Sequence, residues 1–367
     1  MIRKPIASWP LTILLFAAAN PSWAQDRRPE PRKLDDGTRA ESAKWLKGSA
    51  TEPADYVVSK FTAYDLVLLG ETHEVKENCE LVATLIGPLH KAGVRTLCTE
   101  FICSRFNKRL AEIVTAADYD EAAVVELFRR GPWPTWGYQE YVDIVRAVWA
   151  LNRKLPAKAE PFQIVGIDAD WRQLDLLKQA PAERFKTIAG REEHMAAVIE
   201  REAFDKKAKA LVHIGFAHTV RQGDRLGAKL AGKHGKRMFQ VCLHHEMPGR
   251  DGASRFTGFI EEAVAMAERK VAGFDVTGSP LAGLRDDDGQ YFRMLGRDRT
   301  FQDFAQGYVF LKPARELKPV GWVKGFIVPD TFAEAKELAE RLGWVEKGKH
   351  ETAAELDAAL AARRTKR

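Results

Sequence analysis

The sequence predicts an α/β fold: a mainly parallel sheet with helices on both faces and a helical cap insertion. Three observations lead there. Short apolar runs recur at 65–70, 94–100, 162–168, 209–215, 237–243 and 307–312. Stretches with apolar residues at helical spacing separate most of them, the alternation of an α/β chain. Ionisable side chains close the first four runs or follow within three residues: Glu71 and His73, Glu100, Asp168, and His218.

The elements follow in order. "DLVLLG" (65–70) is a short apolar run of the kind that is buried on both sides of a parallel sheet. Leu81, Val82, Leu85, Ile86 and Leu89 then recur at helical spacing, and "AGV" (92–94) ends that helix before "VRTLCTE" (94–100). Strand, helix and strand in this order form a βαβ unit with parallel strands and a right-handed crossover. The stretch 104–160 is the insertion. Leu110, Ile113 and Val114 mark one helix in it, and Tyr141, Ile144, Val145 and Val148 another. Its aromatic run "GPWPTWGYQEY" (131–141) has two readings, the core of a helical subdomain or the wall of a pocket. "FQIVGID" (162–168), "KALVHIG" (209–215), "RMFQVCL" (237–243) and "GYVFLK" (307–312) supply the remaining strands, with a helix over 191–205.

The N-terminus reads as a signal peptide over residues 1–24. Arg3 and Lys4 precede the apolar "LTILLFAAA" (11–19), too short to span a bilayer, and "SWA" (22–24) offers small residues for cleavage after Ala24. The mature chain is expected in the periplasm or outside the cell. No cysteine follows the apolar run to take a lipid anchor, and no later run is apolar enough to cross a membrane. Residues 25–63 read as a charged lead-in with one short helix near Ala43–Leu46. Residues 64–345 form a single domain, and 346–367 a C-terminal helix and basic tail.

Composition excludes some functions. The chain is 45% hydrophobic and 29% charged, with a net charge of +6 that falls to +4 without the leader. Basic residues are dispersed among acidic ones, without the stripe a nucleic-acid partner requires. The four cysteines, Cys79, Cys98, Cys103 and Cys242, form no C-x-x-C, and export would permit disulfides in any of three pairings. The oligomeric state is not legible.

In an open α/β sheet, ligands bind at the carboxyl ends of the strands. Glu71, His73, Glu100, Asp168 and His218 are therefore expected to face one cleft and to carry the chemistry. Each also has a plain alternative. Glu71 suits a helix N-terminus, His73 a surface loop, Glu100 a partner for Arg105, and Asp168 the cap of a helix near Trp171. "HHE" (244–246) reads as a partly exposed loop and "RDDDG" (285–289) as a turn.

No Gly-x-Ser-x-Gly elbow is present, and no cysteine sits beside a histidine in a loop of the right kind, so a covalent serine or cysteine hydrolase is disfavoured. Two designs remain. His73 with a neighbouring carboxylate can take a proton from water while His218 stabilises or protonates the leaving side. Alternatively His73, Glu100 and His218 can hold one divalent metal ion that activates the water. Spacing does not separate these designs. A small-molecule or peptide substrate suits either.

"GETH" (70–73) and "GFAH" (215–218) share a G-x-x-H frame directly after a strand. With "LIGPLHKAGVRTLCTE", "FQIVGIDAD" and "REEHMAAVIE…ALVHIGFAH", the arrangement resembles the superfamily of erythromycin-esterase-like hydrolases, TIKI/TraB-type proteins and haem-binding ChaN-like lipoproteins. The resemblance covers roughly 64–245. It implies functional roles for Glu71, His73, Glu100 and His218. In esterase-like members the first histidine is a general base. In TIKI-like members the histidines and glutamate serve a metal. In ChaN-like members the cleft binds haem, for which Tyr138 or Tyr141 would be extra ligands. Glu71 stands where a ChaN-like frame often has Asp, which favours the esterase-like branch. The Asn-rich stretch around the second histidine of macrolide esterases is missing, which speaks against a macrolide substrate. An exported ester or amide hydrolase is the leading expectation, and a haem or metal-complex binder the alternative.

Overall fold

The computed structural model describes residues 30–295 and 299–364. The expected leader and the end of the basic tail lie outside them. The sheet has seven strands: β1 (Leu66–Glu71), β2 (Thr96–Cys103), β3 (Gln163–Asp168), β4 (Ala210–Gly215), β5 (Met238–Leu243), β6 (Ala272–Asp275) and β7 (Gly307–Phe310). Their spatial order is β3-β2-β4-β1-β5-β7-β6. All neighbours are parallel except β6 and β7. The α/β class with a mainly parallel sheet is thus as expected. The strand not anticipated is β6. It has four residues and pairs antiparallel, so it offers too few positions to show a period.

β1 lies at the centre, between β4 and β5. Its side chains alternate, as strand geometry requires. Val67 and Leu69 enter one core with the helices Lys76–Lys91, Asn107–Thr115 and Gln139–Asn152. Leu66 and Leu68 enter the other with the helices Pro181–Ile199 and Leu226–His234. Both faces are covered, so all six β1 residues are buried. The outer edge of β3 is closed by two amides. Asn152 bonds both the N–H and the carbonyl of Phe162, and Asn107 does the same at Gly166. Each stands in for a neighbouring strand on an edge that would otherwise invite pairing.

Three expectations are corrected, and the state of the cysteines, left open by the sequence, is given. The lead-in is two helices, Asp36–Ser49 and Pro53–Ser59, and its Leu46, Tyr56 and Val57 belong to the cores. The insertion is only partly a cap. Helix Gln139–Asn152 packs against Lys76–Lys91 as part of a face layer, while the loop before it rises over the strand ends. All four cysteines are buried and free. His244 and His245 are buried rather than exposed, and they diverge: His244 meets Tyr308 and Glu261, and His245 meets Tyr291. At the other end, helix Ala353–Arg364 uses Asp357 to accept the N–H groups of Gly325 and Ile327 and the indole of Trp322. No helix among the described residues is long and apolar enough to cross a membrane.

Candidate functional site

Glu71 closes β1 with its side chain in the core that Val67 and Leu69 enter. Three side chains hold its carboxylate. The His73 Nδ1–H donates to Oε1 at 3.0 Å, the Tyr141 hydroxyl donates to the same oxygen, and His213 Nε2 lies 2.6 Å from Oε2. Glu71, Tyr141 and His213 are all buried. Burial alone would push the Glu71 carboxyl up, but the attraction and hydrogen bonds of His213 and His73 hold it below the usual carboxylate value.

The turn after β1 aims His73. Glu74 takes a left-handed φ of 71°, a conformation that non-glycine residues rarely adopt. The insertion steadies it: the Glu74 N–H donates to the Tyr141 hydroxyl at 3.2 Å, and the Tyr138 hydroxyl donates to Glu74 Oε1 at 2.7 Å. His73 leaves this turn with its Nδ1 side pinned to Glu71 and its side chain 40% exposed. Desolvation opposes its charged form. The Glu71 hydrogen bond and the charges of Glu100 and Glu71 outweigh that and raise its pKa.

A second carboxylate, Glu100 in β2, lies on the other side of His73. The Gly215 N–H donates to its Oε2 at 2.7 Å, and Arg191 and His218 both bond Oε1. The Arg191 Nε–H also donates to Asp168 at 2.7 Å. His218 Nδ1 lies 2.6 Å from Glu192, whose other oxygen accepts the Leu226 N–H at the start of a helix. Burial would raise the Glu100 pKa, yet the His218 and Arg191 charges hold it well below the carboxylate range. Burial would lower that of His218, but the Glu100 and Glu192 charges lift it to about 9.

The two G-x-x-H frames interlock. A Cβ on Gly215 would lie 2.5 Å from His73 Cε1 and 2.8 Å from Nε2, closer than real contacts allow. A Cβ on Gly70 would lie 3.0 Å from the Phe216 ring and 3.1 Å from its Cα. Each glycine thus makes room for the loop that follows the other strand.

Above His73 and Glu100 opens a cleft walled by Phe101, Phe128, Trp133 and Trp136 with Gly131 and Pro132. Both readings of the aromatic run therefore hold, for different residues. Tyr138 and Tyr141 fill the core, and Trp133 and Trp136 line the cleft.

The five expected site residues form one connected cluster, but only His73 and Glu100 line the cleft. His218, expected to stabilise or protonate the leaving side, is buried, bonds Glu100 and does not line the cleft. Asp168 accepts from the Ala169 N–H, the Trp171 indole and Arg191; the helix that follows begins later, at Gln173. Arg105 pairs with Asp170 instead of Glu100. Sequence reasoning missed His213, hidden within an apolar strand run. It also gave no role to Arg191, Glu192 or Tyr141 in fixing the two carboxylates. Arg191 opens the motif "REEHMA", which was its available signal.

A divalent ion does not fit the expected trio of His73, Glu100 and His218. The Arg191 guanidinium already bonds Glu100 and stands 3.2 Å from His218 Nε2, so a cation there would meet a fixed positive charge. Among the described residues, the side chains that do converge are Glu71, Cys79 and His213, with candidate ligand atoms all within 4.8 Å of one another. There the Glu71 oxygens are taken by Tyr141, His73 and His213. Haem fits no better: the hydroxyls of Tyr138 and Tyr141 are spent on Glu74 and Glu71.

No protein-family model matches the chain, and no curated protein matches it. Solved structures do. A succinoglycan biosynthesis protein superposes with a TM-score of 0.54 at 11% identity, over 78% of this chain and 99% of its own. That likeness shows a shared fold. The neighbours also include an erythromycin esterase mutant in its open conformation (TM-score 0.49, 12% identity, 70% of this chain and 93% of that one). ChaN of Campylobacter jejuni, solved with cofacial haem, follows at 0.38 and 14%, over 55% of this chain and 89% of that one.

Proposed function

We propose that the protein is an exported hydrolase that cleaves an ester or amide through water activated by His73. One observation carries this reading. The Nδ1 side of His73 is pinned to a buried carboxylate while the ring stands partly exposed at the floor of a cleft. A carboxylate in that place fixes the tautomer, leaves Nε2 as the basic nitrogen and stabilises the imidazolium that forms. Nε2 takes a proton from water as the oxygen adds to the carbonyl carbon. When the bond from that carbon to oxygen or nitrogen breaks, the same proton passes to the leaving atom. Glu100 stays ionised and fixed by Gly215, Arg191 and His218, and so provides a second acceptor to orient the water. No step requires a metal.

Purified mature protein is expected to hydrolyse members of a panel of esters and amides. His73→Ala should lose at least ~100-fold in kcat/KM, the usual contribution of a general base. Retention of activity in that variant would remove the mechanism. A Soret shift on haem titration that disappears with His73→Ala would favour the binding alternative.

A further inference from the structure

The cleft also carries information about what it accepts. Phe101 and Trp136 stack at 11° with ring centroids 5.6 Å apart, and both stand nearly perpendicular to the His73 ring at 5.5 and 5.4 Å. Trp133 continues the wall, 5.8 Å from Trp136, and meets Trp171 edge-on at 5.7 Å. Arg191 lies over Trp171, so the row ends on a cation already committed to Glu100 and Asp168. Of the groups lining the cleft, the ionisable ones are His73 and Glu100. Among the described residues no uncommitted cation lines it to receive an anion, and the ionised Glu100 repels one. A wall of rings with a carboxylate and a base at its foot accepts a flat apolar group and turns away a negative one.

We infer that the substrate presents an uncharged planar ring, an aryl or similarly flat acyl group, to Phe101, Trp136 and Trp133, with its carbonyl over His73. This rests on the hydrolase reading for the carbonyl but not for the ring, and the two can be tested apart. Methyl ketones carry the same carbonyl and are not hydrolysed. Binding of acetophenone, cyclohexyl methyl ketone and 4-acetylbenzoate would be followed by quenching of tryptophan fluorescence, in the full chain and in His73→Ala. Acetophenone should bind on the order of 10-fold more tightly than either competitor, the size of an aromatic contact beyond its area. Trp133→Ala should abolish that preference, and Trp133→Phe, which keeps a ring and guards against a folding defect, should retain it. Equal affinities, tighter binding of the carboxylate, or a preference unchanged in Trp133→Ala would overturn the inference. Ring preference without ester hydrolysis would leave it standing and remove the hydrolase reading instead.

Discussion

The two buried carboxylates of the site are held in opposite ways. Glu71 is surrounded by side chains that share protons with it: a tyrosine and two imidazoles. Glu100 is surrounded by fixed charge, with Arg191 and His218 on its carboxylate and Asp168 and Glu192 behind them. The Glu71 side can move a proton through His73 with little rearrangement. The Glu100 side resists both protonation and motion, because each change would strand a buried charge. In the proposed mechanism the first cluster tunes the base and the second holds a fixed acceptor for the water.

That contrast is sharpest in Arg191. Its removal leaves Glu100 and Asp168 buried without their cation, a change that typically costs about 3–5 kcal/mol. Arg191→Met should therefore lower stability by that order in urea denaturation. A loss below about 1 kcal/mol would show that the charges are not coupled as described.

Around Glu71 the effect should fall on rate and pH. The raised pKa of His73 means that the base is neutral, and active, only above it. The acid limb of kcat/KM should then have its midpoint above 6.5, the ordinary histidine value. Glu71→Gln removes the negative charge that favours the imidazolium, so the midpoint should move down while the maximal rate falls by roughly 100-fold. An unmoved midpoint would detach Glu71 from His73.

Tyr141→Phe should have the smallest effect. It removes one hydrogen bond to a charged group, on the order of 1.5–3 kcal/mol at most if nothing replaces it. Because His213 and His73 still hold Glu71, a rate loss nearer 10-fold is expected in single-substrate kinetics, with little change in KM. A loss as large as that of Glu71→Gln would mean that the hydroxyl takes part in proton movement.

Much of this site was legible because strand ends are. An apolar run that stops at Glu71 or Asp168 marks a strand end, and parallel topology sends such ends to one edge; the run read as ending at Glu100 instead continues as β2 to Cys103, with Glu100 inside the strand. What stayed hidden lies where the local pattern has another sufficient cause. His213 sits within a strand whose every residue is buried, so its neighbours conceal it. Arg191 reaches the site from a helix on the second face. Which element its long side chain crosses to meet is a fact of packing, and no sequence period records it. β6 is too short to have a period at all.

The reciprocal fit of Gly70 and Gly215 ties function to strand register. β1 and β4 run side by side with Leu69 opposite His213 and Glu71 opposite Gly215. A slip of one residue would send His213 to the far face and bring Ile214 or Phe216 opposite Glu71. His73 would lose its space and Glu71 its partner in the same event. The site thus acts as a proofreader of its own sheet: a chain that has paired these strands out of step can be compact and well packed, yet it has no base to offer. If the proposed hydrolysis is observed, its recovery during refolding should require β4 to be in register beside β1.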